Sequence, residues 1–186
     1  DVKGLDVVRS SFPPSFRKFM AEVLEDILND IDKVELDDKI LKFKDHIKSL
    51  DLIDVMFPIG VKNVKKYTRK GDEPFAVRMK GTPVHVKAAL NYNDMLRHHK
   101  IKTIRGMING EKIKWTYLKK NTMNLDTMAL KGYDDPDVLR KFVEEYIDYN
   151  KIFKSAFANK LNDFYAALSW GQIPENNNLG KFFAFG

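Results

Sequence analysis

The sequence predicts an α+β fold: a helical hairpin and carboxy-terminal helices around a small antiparallel β hairpin or sheet. Three observations predict it. Before residue 51, apolar residues recur at three- and four-residue spacing; around Trp115 they alternate with polar ones; after residue 135 the helical spacing returns. Asn109-Gly110, a strong two-residue hairpin signal, stands just ahead of the alternating stretch.

Taken in order, Ser11-Phe12-Pro13-Pro14 reads as a helix start, with Ser11 as cap and the prolines in the first turn, where a missing amide costs nothing. Phe16, Phe19, Met20, Val23, Ile27 and Ile31 give that helix one apolar face. Asp37 or Asp38 is the predicted cap of a second helix striped by Ile40, Phe43, Ile47 and Leu50, so 13–51 forms two antiparallel helices. From Ile53 the period changes. Residues 55–60 read as a short strand, 61–67 as one or two helical turns and 84–96 as a helix, with breaks at Gly71-Asp72-Glu73-Pro74 and Gly81-Thr82-Pro83. Residues 104–118 are predicted as a hairpin about Asn109-Gly110, joining Met107-Ile108 to Ile113, Trp115 and Tyr117; Lys112, Lys114 and Thr116 then share the opposite face. Residues 125–130 add a strand. Asp134-Asp135-Pro136-Asp137 reads as a helix cap in preference to a metal site, because acidic groups there satisfy free amides and the helix dipole. The closing helices carry the stripes Val138, Phe142, Tyr146 and Phe153, Phe157, Leu161, Phe164, Leu168, ending at Trp170-Gly171.

A chain of 186 residues, 44% hydrophobic and 31% charged, can bury a core and is not of disordered composition. No apolar run approaches the roughly 20 residues that span a bilayer, no stretch reads as a signal peptide, and no membrane partner is expected. With no cysteine there is neither a disulfide framework nor a thiolate site.

The net charge of +6 is unevenly placed. Residues 61–120 hold 16 Lys or Arg against Asp72, Glu73, Asp94 and Glu111, a net +12, which leaves −6 for the rest. Interleaved with Tyr67, Tyr92, Trp115 and Tyr117, this segment has the composition of a phosphate-tracking surface; an acidic protein partner is the other occupant such charge admits.

The two ends are equally distinctive. The chain opens on Asp1 without an initiator methionine, which reads as a segment of a longer protein or as one product of a split gene. It then runs Val2-Lys3-Gly4-Leu5-Asp6-Val7-Val8-Arg9-Ser10-Ser11 and closes, after Pro174-Glu175-Asn176-Asn177-Asn178, on Leu179-Gly180-Lys181-Phe182-Phe183-Ala184-Phe185-Gly186. An aromatic tail behind a polar spacer suits a partner's pocket, the alternative being a tail folded back on its own core.

The opening stretch resembles the Lys-Gly-apolar-acidic-apolar-Val-Arg segment where palm passes into thumb in family B DNA polymerases. Ser10-Ser11 departs from the Arg-Asp pair of many cellular members and resembles the replicative polymerases of large tailed phages, whose apolar, Phe-containing tails end on Phe-Gly and dock on the sliding clamp. Residues 139–170 resemble the last thumb helices of the same family. Lys65-Lys66-Tyr67 lacks the residue separating Lys from Tyr in the family's Lys-Lys-x-Tyr motif and is not assigned to it. The resemblance implies a polymerase thumb-like fold: a palm–thumb junction at 1–12, a thumb over 13–171 (helices 13–51, a basic αβ part 52–130, closing helices 135–170) and a flexible clamp-binding tail at 172–186. It implies the thumb part of a DNA-directed DNA polymerase, a nucleotidyltransferase of DNA replication in the cytoplasm of an infected bacterial host. The implied partners are duplex primer–template DNA, the remaining palm, fingers and exonuclease, and the sliding clamp.

Lys3, Gly4 and Arg9 are then the expected duplex contacts near the palm, a glycine letting backbone approach phosphates that cations hold. Lys112 and Lys114 are further expected DNA contacts, and Leu179, Phe182, Phe183 and Phe185 the clamp anchors. No catalytic or metal-binding residue is expected in this chain. The family's Asp-Thr-Asp motif is absent from it, so catalytic carboxylates and their magnesium ions are assigned to the palm. Two other readings stay open: a free-standing nucleic-acid-binding accessory protein that stacks bases on Trp115 and Tyr117, and a metal-dependent nuclease built on Asp94, His98 and His99.

Overall fold

Helix α1 spans Pro14–Leu28 in the computed structural model, which describes residues 10–68 and 73–175. Pro13 occupies its N-cap position and no side chain caps it. Ser11 lies two residues ahead of the N-cap position, so the predicted Ser11 cap is not used. The chain turns at Asp30 (φ 56°), which leaves Ile31 outside the helix; the buried face is Phe16, Phe19, Met20, Val23 and Leu24. Helix α2, Lys33–His46, begins more than a turn before the predicted cap. Asp32 caps it, accepting from the amides of Val34 (2.9 Å) and Glu35 (3.4 Å). Asp37 and Asp38 are therefore interior, Asp37 accepting from the Tyr165 hydroxyl at 2.7 Å and Asp38 pairing with Lys42 at 2.6 Å. A short 3₁₀ turn, Ile47–Ser49, leads to α3, Leu52–Val55.

The chain packs as two compact units, one formed by 1–55 with 153–186 and the other by 56–152. The second is built on a three-stranded antiparallel sheet of order β1-β2-β3: β1 Phe57–Gly60, β2 Lys112–Tyr117 and β3 Thr127–Leu130. Phe57 lies opposite Trp115, Gly60 opposite Lys112, and Trp115 opposite Ala129. Between β1 and β2 come α4, Val64–Tyr67, and α5, Val84–His98, which packs on β3. Asn91 of α5 donates to the Thr127 carbonyl (2.8 Å), and the Thr127 hydroxyl donates to that of Thr116 (2.8 Å), so these buried polar groups are satisfied.

The hairpin predicted about Asn109-Gly110 does not form. Its intended first arm is already occupied: the Asn93 side chain bonds both the amide (2.6 Å) and the carbonyl (3.0 Å) of Met107. Gly106 permits this approach, since a Cβ there would lie 2.7 Å from Asn93 Oδ1. Strand β2 pairs instead with the sequence-distant β1.

Helix α6, Asp137–Tyr146, has Pro136 at its N-cap and no side-chain cap. Asp135 accepts from the amides of Lys131 (2.8 Å) and Gly132 (2.7 Å), closing the loop before the helix instead of capping it. Leu139 and Val143 are the buried positions, while predicted Val138 is 40% exposed. Helix α7 is Tyr149–Phe153 and α8 is Asn159–Ala167, joined by a π-helical turn, Lys154–Ala158. The wider turn advances the apolar face, so the row Phe153, Phe157, Leu161 continues at Tyr165 and leaves Leu168 exposed. Among the described residues no helix is long and apolar enough to cross a membrane.

Candidate nucleic-acid interface

Charge divides along the same lines as packing. Residues 56–152 carry 20 Lys or Arg against 11 acids, a net +9, whereas the other unit carries 12 against 15, a net −3. Three acids of the basic unit are committed to its own cations. Asp94, 3% exposed, accepts from Arg78 and Arg97 (both 2.5 Å) and from the Phe75 amide (2.8 Å). Asp126 pairs with Lys87 at 2.7 Å. Glu111 pairs with Arg105 at 2.9 Å and lies 3.8 Å from Lys131. Burial opposes its ionisation, but the Ile108 amide at 2.6 Å and those two cations outweigh it and hold the Glu111 carboxyl below its ordinary range. Lys62, Lys65, Lys66, Lys112 and Lys114 have no ion-pair partner among the described residues.

These five lysines belong to adjoining backbone. Lys112 lies opposite Gly60 and Lys114 opposite Pro58. Alternation puts both on one face of β2, with Cα atoms roughly 6.8 Å apart. Beyond Gly60 the pairing continues irregularly, the Val61 amide donating to the Glu111 carbonyl (2.9 Å) and the Gly110 amide to that of Val61 (2.9 Å). Gly110 has φ +89°, a conformation glycine adopts without strain. Val61 and Val64 are buried, which fixes the root of α4 while Lys62, Lys65 and Lys66 stay exposed.

Two aromatic residues of the basic segment serve the core. Tyr92 and Trp115 are buried. Trp115 stacks on Phe57 at 4.7 Å and meets Tyr117 edge-on at 5.0 Å, and Lys151 sits 4.6 Å above the Tyr117 ring. A base-stacking platform on Trp115 and Tyr117 does not fit this packing. Nor does a metal site on Asp94, His98 and His99. Asp94 faces two guanidinium groups, and the exposed His98 ring lies against Phe75 at 5.5 Å. Among the described residues no cluster of three or more potential ligands occurs.

Of the sequence-predicted site residues, Lys112 and Lys114 fall together on β2. Lys3, Gly4 and Arg9 lie outside the described residues, as do Leu179, Phe182, Phe183 and Phe185. Lys62, Lys65 and Lys66 were not singled out by motif; their signal was the dense charge of residues 61–70, but their proximity to Lys112 depends on a strand pairing across some fifty residues. Compared with known proteins, the chain matches no protein-family model and no curated protein.

Proposed function

We propose that this chain is the thumb part of a family B DNA-directed DNA polymerase of the kind found in large tailed phages, holding primer–template duplex and tethering the enzyme to its sliding clamp. The observation that carries the duplex-holding role is the group formed by Lys62 between β1 and α4, Lys65 and Lys66 on α4, and Lys112 and Lys114 on β2, which have no ion-pair partner among the described residues, in a unit of net charge +9. Cations that face no protein acid bind phosphates by releasing condensed counterions, with little dependence on base sequence. Burial of Trp115 and Tyr92 supports duplex backbone over single-strand stacking. Lys3, Gly4 and Arg9 supply contacts nearer the palm, and catalysis with its magnesium ions belongs to the palm. Leu179, Phe182, Phe183 and Phe185 anchor the clamp, raising the effective concentration of polymerase at the primer end.

Primer extension by the matching palm-containing fragment, with and without this chain added in trans, tests the reading. Synthesis absent from either piece and restored by both is the expected result. A folded chain that binds duplex yet restores nothing opposes the polymerase assignment. For the tail, Phe182→Ala with Phe183→Ala abolishes clamp binding and leaves thermal melting and duplex affinity unchanged; a collapse of the melting transition assigns those rings to the chain's own core.

A further inference from the structure

We propose that Asn109 is a positioning residue that holds Lys62, Lys65 and Lys66 as a second row of phosphate contacts beside Lys112 and Lys114. The ligand is the phosphodiester backbone of duplex DNA, so the inference rests on the duplex-holding reading above.

Helix α4 has four residues, Val64–Tyr67, and isolated helices shorter than about 12 residues are marginal in water, so it is held from outside. Its own N-cap residue gives no help. Asn63 is in the left-handed region (φ 61°) and its side chain makes no capping bond. Asn109 substitutes from 45 positions away: its Oδ1 accepts from the Val64 amide at 2.6 Å, satisfying an amide that a cap would satisfy. Further support comes from the buried side chains of Val61 and Val64 and from the Thr68 hydroxyl, which donates to the Val64 carbonyl at 2.8 Å.

Asn109 is itself fixed. The Glu111 amide donates to the Ile108 carbonyl (3.3 Å), the Ile108 amide donates to the Glu111 carboxylate (2.6 Å), and Gly110 bonds the Val61 carbonyl. One turn, 108–111, therefore supports α4 on one side and opens directly into Lys112 and Lys114 of β2 on the other. The geometry couples two rows of cations through a neutral amide side chain. Removing that amide changes no charge and deletes no phosphate ligand, so any effect on DNA binding passes through the placement of α4.

The experiment is binding of a labelled 20-base-pair duplex at a series of salt concentrations, with circular dichroism melting to show that each variant folds. Asn109→Ala is expected to weaken binding severalfold and to make the plot of log K against log salt shallower by about one to two, as lysines cease to engage phosphates. In a Lys65→Ala, Lys66→Ala background most of that loss disappears, whereas in a Lys112→Ala, Lys114→Ala background it persists. Asn109→Asp keeps the acceptor and retains the wild-type salt slope, although its charge lowers affinity. Equal losses from Asn109→Ala in both backgrounds, or no loss where Lys65→Ala, Lys66→Ala weakens binding, overturn the inference alone. If neither lysine pair matters to duplex binding, the duplex-holding reading falls and the inference falls with it.

Discussion

In the unit formed by residues 1–55 and 153–186, phenylalanines meet ring to ring. Phe19 stacks on Phe43 at 3.8 Å, Phe16 meets Phe43 edge-on at 5.2 Å, and Phe157 lies 5.2 Å from Phe19 and 5.3 Å from Phe153. The unit of residues 56–152 instead carries a three-stranded sheet backed by α5, the paired acids Asp94, Glu111 and Asp126, and a corner of lysines with no ion-pair partner among the described residues. Some surface cations in the first unit find acids on their own helix, as Lys33 does with Asp37, Lys42 with Asp38 and Lys48 with Asp45. One unit is held by ring packing, and the other presents cations to solvent. A helical unit closed by aromatic packing gains stability from each ring, whereas exposed charge without an ion pair adds nothing to folding and leaves a surface open to anions.

Truncating the ring cluster gives the largest expected effect. Phe157 is fully buried, and Phe157→Ala costs about 3–5 kcal/mol in urea denaturation, through lost transfer energy and the cavity left behind. Duplex affinity of the molecules that remain folded is unchanged. A cost below about 1 kcal/mol dismisses aromatic packing as the source of this unit's cohesion.

Next is Asp94, the one deeply buried acid among the described residues of the basic unit. Asp94→Asn leaves the Arg78 guanidinium, 13% exposed, without its counter-charge, and breaking such a pair costs about 3 kcal/mol. Denaturation monitored at Trp115, which lies in the same unit, measures it. Wild-type stability in the variant means that Asp94 is not the electrostatic anchor of the loop bearing Phe75 and Arg78.

Much of this comparison was legible from sequence, and its failures have physical causes. Periodicity located α1, α2, α5, β1 and β3 and identified Phe16, Phe19, Phe43 and Phe157 as core, because a single local period carries that information. Asp32 was missed as the cap of α2 because Asp37 and Asp38 have the same chemistry and stand closer to the apolar stripe; only backbone geometry separates them. Tyr165 was missed because a π-helical turn is invisible to a fixed period of 3.6. The site was half legible. Alternation placed Lys112 and Lys114 on one face, but a hairpin signal at Asn109-Gly110 pointed to the wrong partner strand, since the competing claim of Asn93 on Met107 is a tertiary contact.

A smaller effect depends on pH. Burial, followed by the hydrogen bond to Asp37 and its charge, pushes the Tyr165 hydroxyl above the ordinary tyrosine range. The folded chain thus keeps a proton that the unfolded chain loses near pH 10, so this contribution is complete below that pH and declines as pH rises above it. Tyr165→Phe costs about 1 kcal/mol at neutral pH and makes the alkaline decline shallower. Denaturation curves between pH 8 and 11 measure both, and an unchanged alkaline slope removes Tyr165 from the account.

The smallest stability change goes with the clearest functional one. Lys112 is exposed and Lys114 half-buried, and neither pairs with an acid among the described residues, so Lys112→Ala with Lys114→Ala shifts folding stability by no more than about 0.5 kcal/mol per site. The same pair makes duplex binding less steeply salt dependent by about one unit per lysine, because each engaged phosphate releases its share of condensed counterion. Lys42→Ala with Lys48→Ala, in the acidic unit, removes the same charge and leaves that slope alone. Net charge by itself predicts similar behaviour for both pairs. A phosphate-holding corner predicts that only the sheet lysines matter, and fluorescence anisotropy at four or five salt concentrations separates the two. Parallel slopes for both double variants dissolve the functional contrast between the units and leave only the contrast in packing.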